Sequence, residues 1–322
     1  MMEINKKNCR LWSMLGMRGT YGAAILDLAK EEERLVCLSA DLCNTSGLDR
    51  FKATYPERYF STGIAEQNML GIAAGLAMDG FIPFASTFAT FATMRAMDYL
   101  RSVVGYMGLN VKVAGLTGGL GMSFFGNTHY AIEDIALARE IPGMTILAPA
   151  DGAEVIKCVN AAMRYEGPVY LRLSGIANLP VIYTEDYDFT IGKGVLLREG
   201  KDIGIIANGT MVKVGLDVAG ELSEQGITAS VVDMHTIKPL DTEIIDRLLK
   251  VKLLVTIEEH SIIGGLGSTV AEYISLKNEK PRLLRLGIND CFSEAGDYNY
   301  LLEQHGLNSD KIYKRVIECM KF

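Results

Sequence analysis

Several things are scarce in this 322-residue chain: tryptophan occurs once, histidine four times and proline eight times. Its six cysteines, at positions 9, 37, 43, 158, 291 and 319, form no Cys-x-x-Cys pair and have no histidine at metal-ligand spacing. That excludes a zinc module and a disulfide framework, leaving scattered reduced thiols and no metal site of this chain's own. Positive charge is also short, with 32 Lys and Arg against 39 Asp and Glu and a formal charge of −7. This is the wrong sign for a typical nucleic-acid binder. No apolar run reaches the ~20 residues of a membrane span. The opening MMEINKKNCRLWSMLGMRGT carries an acid and no apolar stretch of signal-peptide length, so a cytoplasmic location without membrane attachment is expected. G-x-S-x-G and H-E-x-x-H are missing, which removes the serine-hydrolase elbow and the zincin helix.

What is present is an ordinary globular composition, 49% hydrophobic and 22% charged. At roughly 150 residues per domain the length implies two domains. Apolar runs of strand length alternate with segments of helical period, the pattern of stacked βαβ units around a parallel sheet. Strands are expected at 35–40, 58–61, 81–86, 111–116, 145–148 and 168–173, with helices at 20–32, 66–78, 89–106, 131–140 and 151–165. The stretch GIANLPVIYTEDYDFT (175–190) interrupts the alternation. Beyond it come strands near 203–207, 229–233, 253–258 and 283–286, and helices near 210–225, 241–250 and 268–276. The fold class is therefore α/β, two mostly parallel-sheet domains at 1–175 and 191–322 joined by a linker at 176–190.

Open parallel sheets bind ligands beyond the carboxyl ends of their strands. Four segments fall there: DLCNTS (41–46), TGIAEQN (62–68), STFATF (86–91) and TGGLGMSFFGNTH (117–129). Glu66 opens a helix continued by GIAAGLA, small and apolar residues that suit a packed interface. It reads either as an acid favoured by the helix dipole or as a shielded carboxylate of raised pKa that shares a proton with a nitrogen heterocycle. Phe88 and Phe91, three apart, are core or a wall for a flat ring. His129 ends a long glycine-rich loop, as a structural or a functional imidazole. Arg18, Thr45 and Arg172 are the candidates for holding a phosphate. EEHSIIGGLGS (258–268) does not match a phosphate-loop pattern and reads as a tight turn made for close packing.

Taken in order, these segments resemble the second half of a transketolase and its relatives among thiamine-diphosphate enzymes. DL-x-x-T, YFSTGIAEQNMLGIAAGLA, FIPFASTFATF, GNTH, ILAPADGAEV, KPLD and EEHSIIGGLGS carry the resemblance over nearly the whole chain. It implies a pyrimidine-binding domain followed by a transketolase C-terminal-like domain. The diphosphate-binding domain, with its Gly-Asp-Gly and downstream Asn, has no counterpart here, so the resemblance implies a separate N-terminal subunit that holds Mg2+ and the diphosphate, in an assembly of two chains of each kind. Glu66 then matches the glutamate that bonds the aminopyrimidine of thiamine diphosphate, Phe88 and Phe91 the aromatics around that ring, and His129 the histidine that contacts substrate. Arg18, Thr45 and Arg172 match positions that bind the sugar phosphate.

Three departures fall at the sugar end of that pattern. Phe124 and Phe125 stand where transketolases carry an acid before the histidine, Met94 stands where many have tyrosine, and the histidine usual after the strand before the long loop is replaced near Thr117. The expected activity is transfer of a two-carbon ketol unit between sugar phosphates, with a branched or otherwise unusual ketose phosphate as substrate. The alternatives are a deoxyxylulose-phosphate-synthase-like or 2-oxo-acid dehydrogenase beta-type subunit and, outside catalysis, a scaffolding partner.

Overall fold

The computed structural model describes residues 2–321, so the expected outer domain limits, Met1 and Phe322, lie outside the described residues. Short apolar runs rich in branched residues become strands. The first half supplies β1 (Leu35–Ser39), β2 (Tyr59–Ser61), β3 (Ile82–Phe88), β4 (Lys112–Gly118), β5 (Thr145–Leu147) and β6 (Val169–Ser174). The second half supplies β7 (Val195–Arg198), β8 (Ile203–Ala207), β9 (Ala229–Asp233), β10 (Thr236–Lys238), β11 (Leu253–Ser261) and β12 (Arg282–Ile288). One sheet has seven strands in the order β10-β5-β6-β4-β3-β1-β2, the other five in the order β12-β11-β8-β9-β7. All pairs are parallel except β10 with β5 and β7 with β9. Strands β1, β4, β6, β8 and β9 are buried at every position, as strands covered by helices on both faces must be.

Strand β10 was not expected. Its three residues are too short a run to read as a strand, yet they carry the second half of the chain onto the edge of the first sheet. One apolar cluster accordingly joins Ala85, Ile146 and Tyr170 of the first sheet to Ile206, Val232 and Leu254 of the second. The segment 175–190 forms neither helix nor strand. It is fastened by Asp151, whose Oδ2 accepts from the backbone N–H of Ile182 (2.8 Å) and Tyr183 (2.9 Å).

Two local features position the site. The helix Lys6–Leu28 starts well before the expected residue 20 and breaks at Gly16 (φ 69°), where a Cβ would lie 2.7 Å from the carbonyl of Ile176. Further along it, Gly22 packs so closely on Gly47 that a Cβ would come within 2.0 Å of the Gly47 carbonyl. Only glycine allows that approach, which brings the 41–47 loop with Thr45 against the helix carrying Arg18. The expected helix at 89–106 is irregular. Phe88 ends β3, and the N–H groups of Ala96 and Tyr106 reach back five residues, to Phe91 (3.0 Å) and Arg101 (2.7 Å). Such widened turns recur at functional sites. Further helices at Asp49–Thr54, Tyr298–Gln304 and Ser309–Met320 also went unforeseen.

Candidate active site

Glu66 is the first residue of the helix Glu66–Met78 and is 2% exposed. Its Oε1 accepts a hydrogen bond from Arg95 Nη1 at 3.0 Å. Its Oε2 is buried and has no hydrogen-bond partner among the described residues. A carboxylate oxygen left unpaired in an apolar setting costs ~1–3 kcal/mol, so this one awaits a donor. The Arg95 guanidinium lies 3.9 Å above the Phe91 ring. Phe91 meets Phe88 nearly edge-on at 5.7 Å between centroids. His129 closes the row, 5.6 Å from Phe88, 5.4 Å from Phe91 and 5.1 Å from Phe125. Its Nδ1 pairs with Thr128 Oγ1 at 2.8 Å, leaving Nε2 as the second ring nitrogen for a ligand.

Beyond Phe88 the row opens into a cleft of about 450 Å3 lined by Arg18, Thr45, Met122, Phe124 and Phe125. Arg18 donates to the carbonyl of Gly175 at 3.3 Å and, half-buried, has its pKa lowered by loss of solvent. Phe124 and Phe125 are 75% and 64% exposed, a large apolar area facing water at the mouth of a cleft that also holds Arg18 and Thr45. Thr117, at the end of β4, has φ 62° and a buried, unpartnered hydroxyl. For a β-branched residue that backbone conformation is an outlier, of the kind retained where function requires it.

The structure thus brings Glu66, Phe88, Phe91, His129, Arg18 and Thr45 along one rim. It does not bring Arg172 there. Arg172 lies inside β6, 7% exposed, with Nε on Asp134 Oδ2 (2.8 Å) and Nη2 on the carbonyls of Ala131 (3.1 Å) and Glu259 (2.9 Å). Tyr170 donates to the same Asp134 oxygen at 2.8 Å. The expectation that Arg172 binds phosphate is corrected: its guanidinium is committed to a buried tie between β6 and β11. The EEHSIIGGLGS turn is likewise internal. Glu258 caps the following helix by accepting from Leu266 (2.7 Å) and Gly267 (2.8 Å), and burial raises its pKa to about 7.

Arg95 was missed. Its signal was available, since it follows Phe91 by four residues and an arginine one turn from an aromatic can cover its face. Among the described residues, no group of three or more His, Cys, Asp or Glu side chains could hold a metal ion, and no helix is long and apolar enough to cross a membrane.

Residues 13–177 match the family model of the transketolase pyrimidine binding domain, and residues 192–312 that of the transketolase C-terminal domain. The chain belongs to the transketolase family. The 6-deoxy-6-sulfo-D-fructose transketolase subunit SqwH of Clostridium sp. strain MSTE9 is 42% identical over 94% of this chain and 94% of its own length. One of the apulose-4-phosphate transketolase subunits of Phocaeicola vulgatus is 35% identical over 96% of this chain and 99% of its own. A solved split-gene transketolase, described as an inactive beta4 tetramer, superposes with a TM-score of 0.86 at 41% identity, covering 95% of this chain and 98% of that one. This transketolase chain therefore corresponds to the C-terminal section of the enzyme.

Transketolase membership implies thiamine diphosphate, and the residues present fit its aminopyrimidine end. Glu66 keeps a buried acceptor, Oε2, without a donor among the described residues, and through Oε1 and Arg95 it is tied to the Phe91 ring that meets Phe88. A flat, nitrogen-bearing ring supplies both the missing donor and an aromatic partner.

Proposed function

We propose that the chain is the pyrimidine-binding subunit of a two-subunit transketolase that transfers a two-carbon ketol unit between sugar phosphates. It works with an N-terminal subunit that holds Mg2+ and the diphosphate, in a two-plus-two assembly. The observation that carries this reading is the buried, unpartnered Oε2 of Glu66 beside Phe88, Phe91 and His129. The exposed apolar residues Ile64, Ile72 and Met78, on and just before the helix that Glu66 opens, support a partner surface there.

When bound, thiamine diphosphate supplies the carbon nucleophile and the electron sink for the two-carbon unit. Glu66 would hold the pyrimidine end of that group with the unpaired Oε2, its carboxyl supplying a proton acceptor and donor for a ring nitrogen. Phe88 and Phe91 exclude water from that exchange, which keeps the carboxylate's interaction with the ring strong. His129, oriented by Thr128, offers Nε2 to the substrate oxygen next to the reacting carbon. Arg18 and Thr45 at the cleft mouth receive the substrate phosphate. Phe124, Phe125 and Met94 replace polar contacts at the sugar end, which favours a ketose phosphate other than xylulose 5-phosphate. The names of the sulfofructose and apulose-phosphate relatives support the same choice.

The test is to assemble the chain with its N-terminal partner and measure transfer from xylulose 5-phosphate, apulose 4-phosphate and 6-deoxy-6-sulfofructose. A preference for one of the latter two is expected. A clear preference for xylulose 5-phosphate rejects the substrate reading, and release of carbon dioxide from pyruvate replaces it with the decarboxylating one.

A further inference from the structure

The carboxyl end of β12 and the final helix Ser309–Met320 enclose a second cavity, of about 350 Å3, that shares no lining residue with the cleft of Arg18 and Phe88. Three of its lining residues on the helix are cationic, Lys311, Lys314 and Arg315, Arg285 of β12 borders it with its guanidinium turned to Ile262 and Ser268, and no lining residue is acidic. In a chain of net charge −7 this is a local reversal of sign. The three helix cations sit at i, i+3 and i+4, so they crowd one face and destabilise the free helix by ~0.2–0.5 kcal/mol per like-charged pair. Their internal partners are few. Lys311 donates to the Glu303 carbonyl at 2.6 Å and lies 3.9 Å from its carboxylate, and Arg285 Nη1 reaches the Ile262 carbonyl (3.1 Å) and Ser268 Oγ (3.2 Å). No hydrogen bond or ion pair joins the side chain of Lys314 or Arg315 to any described residue.

We infer that this cavity binds a small polyhydroxylated metabolite carrying two phosphate groups. Arginine forks and lysine ammonium groups are the donors that phosphate oxygens require, and three of them side by side supply charge for more than one phosphate group. Asn289 and Gln304 add neutral amides suited to hydroxyl groups. The lining has no Phe, Tyr or Trp on which a base would stack, which argues for a sugar phosphate over a nucleotide.

Titration calorimetry of the purified full chain with fructose 1,6-bisphosphate tests this, because the readout is binding to this chain alone and does not depend on the proposed catalysis. Saturable binding is expected, weakened by about tenfold or more in Lys314→Glu/Arg315→Glu and retained in Arg18→Ala. Fructose should not bind, and inorganic phosphate should bind about tenfold more weakly than the bisphosphate. Lys314 and Arg315 are exposed. Circular dichroism checks the fold, and Lys314→Gln/Arg315→Gln, which should also weaken binding, serves if charge reversal perturbs it. Absence of binding, wild-type affinity in both double variants, loss in Arg18→Ala, or equal affinity for inorganic phosphate overturns the assignment.

Discussion

Two buried acidic regions of this molecule invite the same interpretation and differ in one respect. At the rim, Glu66 has one oxygen on Arg95 and the other on nothing. At the seam between the sheets, Tyr187 donates to Glu154 at 2.9 Å, Ala150 N–H donates to Glu154 at 2.7 Å and Tyr183 donates to Asp233 at 2.8 Å, while the buried Oδ1 of Asp233 has no donor among the described residues and the two carboxyls perturb each other. Burial drives the seam carboxyls far from their usual range, Asp233 to about 7 and Glu154 upward. By perturbed titration alone the seam would be the site. Its partners, however, all come from within the chain, from β9, the helix Gly152–Arg164 and the linker tyrosines, so it is a closed tie between parts of the fold. Glu66 Oε2 has no hydrogen-bond partner among the described residues, and under the proposed function it is the oxygen that meets the ligand.

The comparison breaks if Glu66 is dispensable. Glu66→Gln in the assembled pair should lower turnover by about 10^2–10^4-fold, since the amide cannot exchange the proton, with little change in the melting temperature of the chain. Wild-type rates would move Glu66 into the structural class. The reverse is expected at the seam. Arg172→Met strands Asp134 as an unpaired buried charge and should cost about 3–5 kcal/mol in urea unfolding. A loss no larger than that of an exposed arginine would show that the tie is not structural.

The pH dependence sharpens the contrast. Because the folded pKa of Asp233 lies near 7, above its unfolded value of ~3.9, its protonated form favours the folded state. That contribution is complete below the unfolded value and is lost as pH rises through about 7. Asp233→Asn removes the titration, so the stability of wild type relative to the variant should fall by on the order of 2–4 kcal/mol between pH 4 and 8. The difference curve is the right observable, because His235 and His260, held by burial near 4, act with the opposite sign in both proteins. A flat difference would mean that the carboxyls do not share a proton. The smallest effect is expected at the cleft mouth. Phe125→Ala should change the ratio of rates between two ketose phosphates by roughly tenfold or less, with thiamine diphosphate affinity unchanged.

The rim was legible in the sequence because parallel strands announce themselves as apolar runs, and the residues just after each run fall at one end of the sheet. Asp41–Ser46 and Thr62–Asn68 follow β1 and β2 in that way, and Ser86–Phe91 spans the carboxyl end of β3. What sequence could not resolve is which polar residue near a strand end points outward. Arg18 and Arg172 looked alike as phosphate donors, yet Arg172 is inside a wholly buried strand, and Asp134, which compensates it, is distant in sequence. Strand β10 was hidden because its pairing to β5 is a long-range event that no local run encodes. Arg95 was legible from its place four residues after Phe91 and was simply overlooked, since nothing local marks that its other side meets Glu66, 29 residues away.

Thiamine diphosphate titrated in the presence of Mg2+ into the chain assembled with its N-terminal partner, followed by calorimetry, tests the reading of Glu66 most directly. Saturable uptake is expected for the wild-type pair and markedly weaker uptake for Glu66→Ala. No uptake by the wild-type pair, or equal uptake by both, would contradict it.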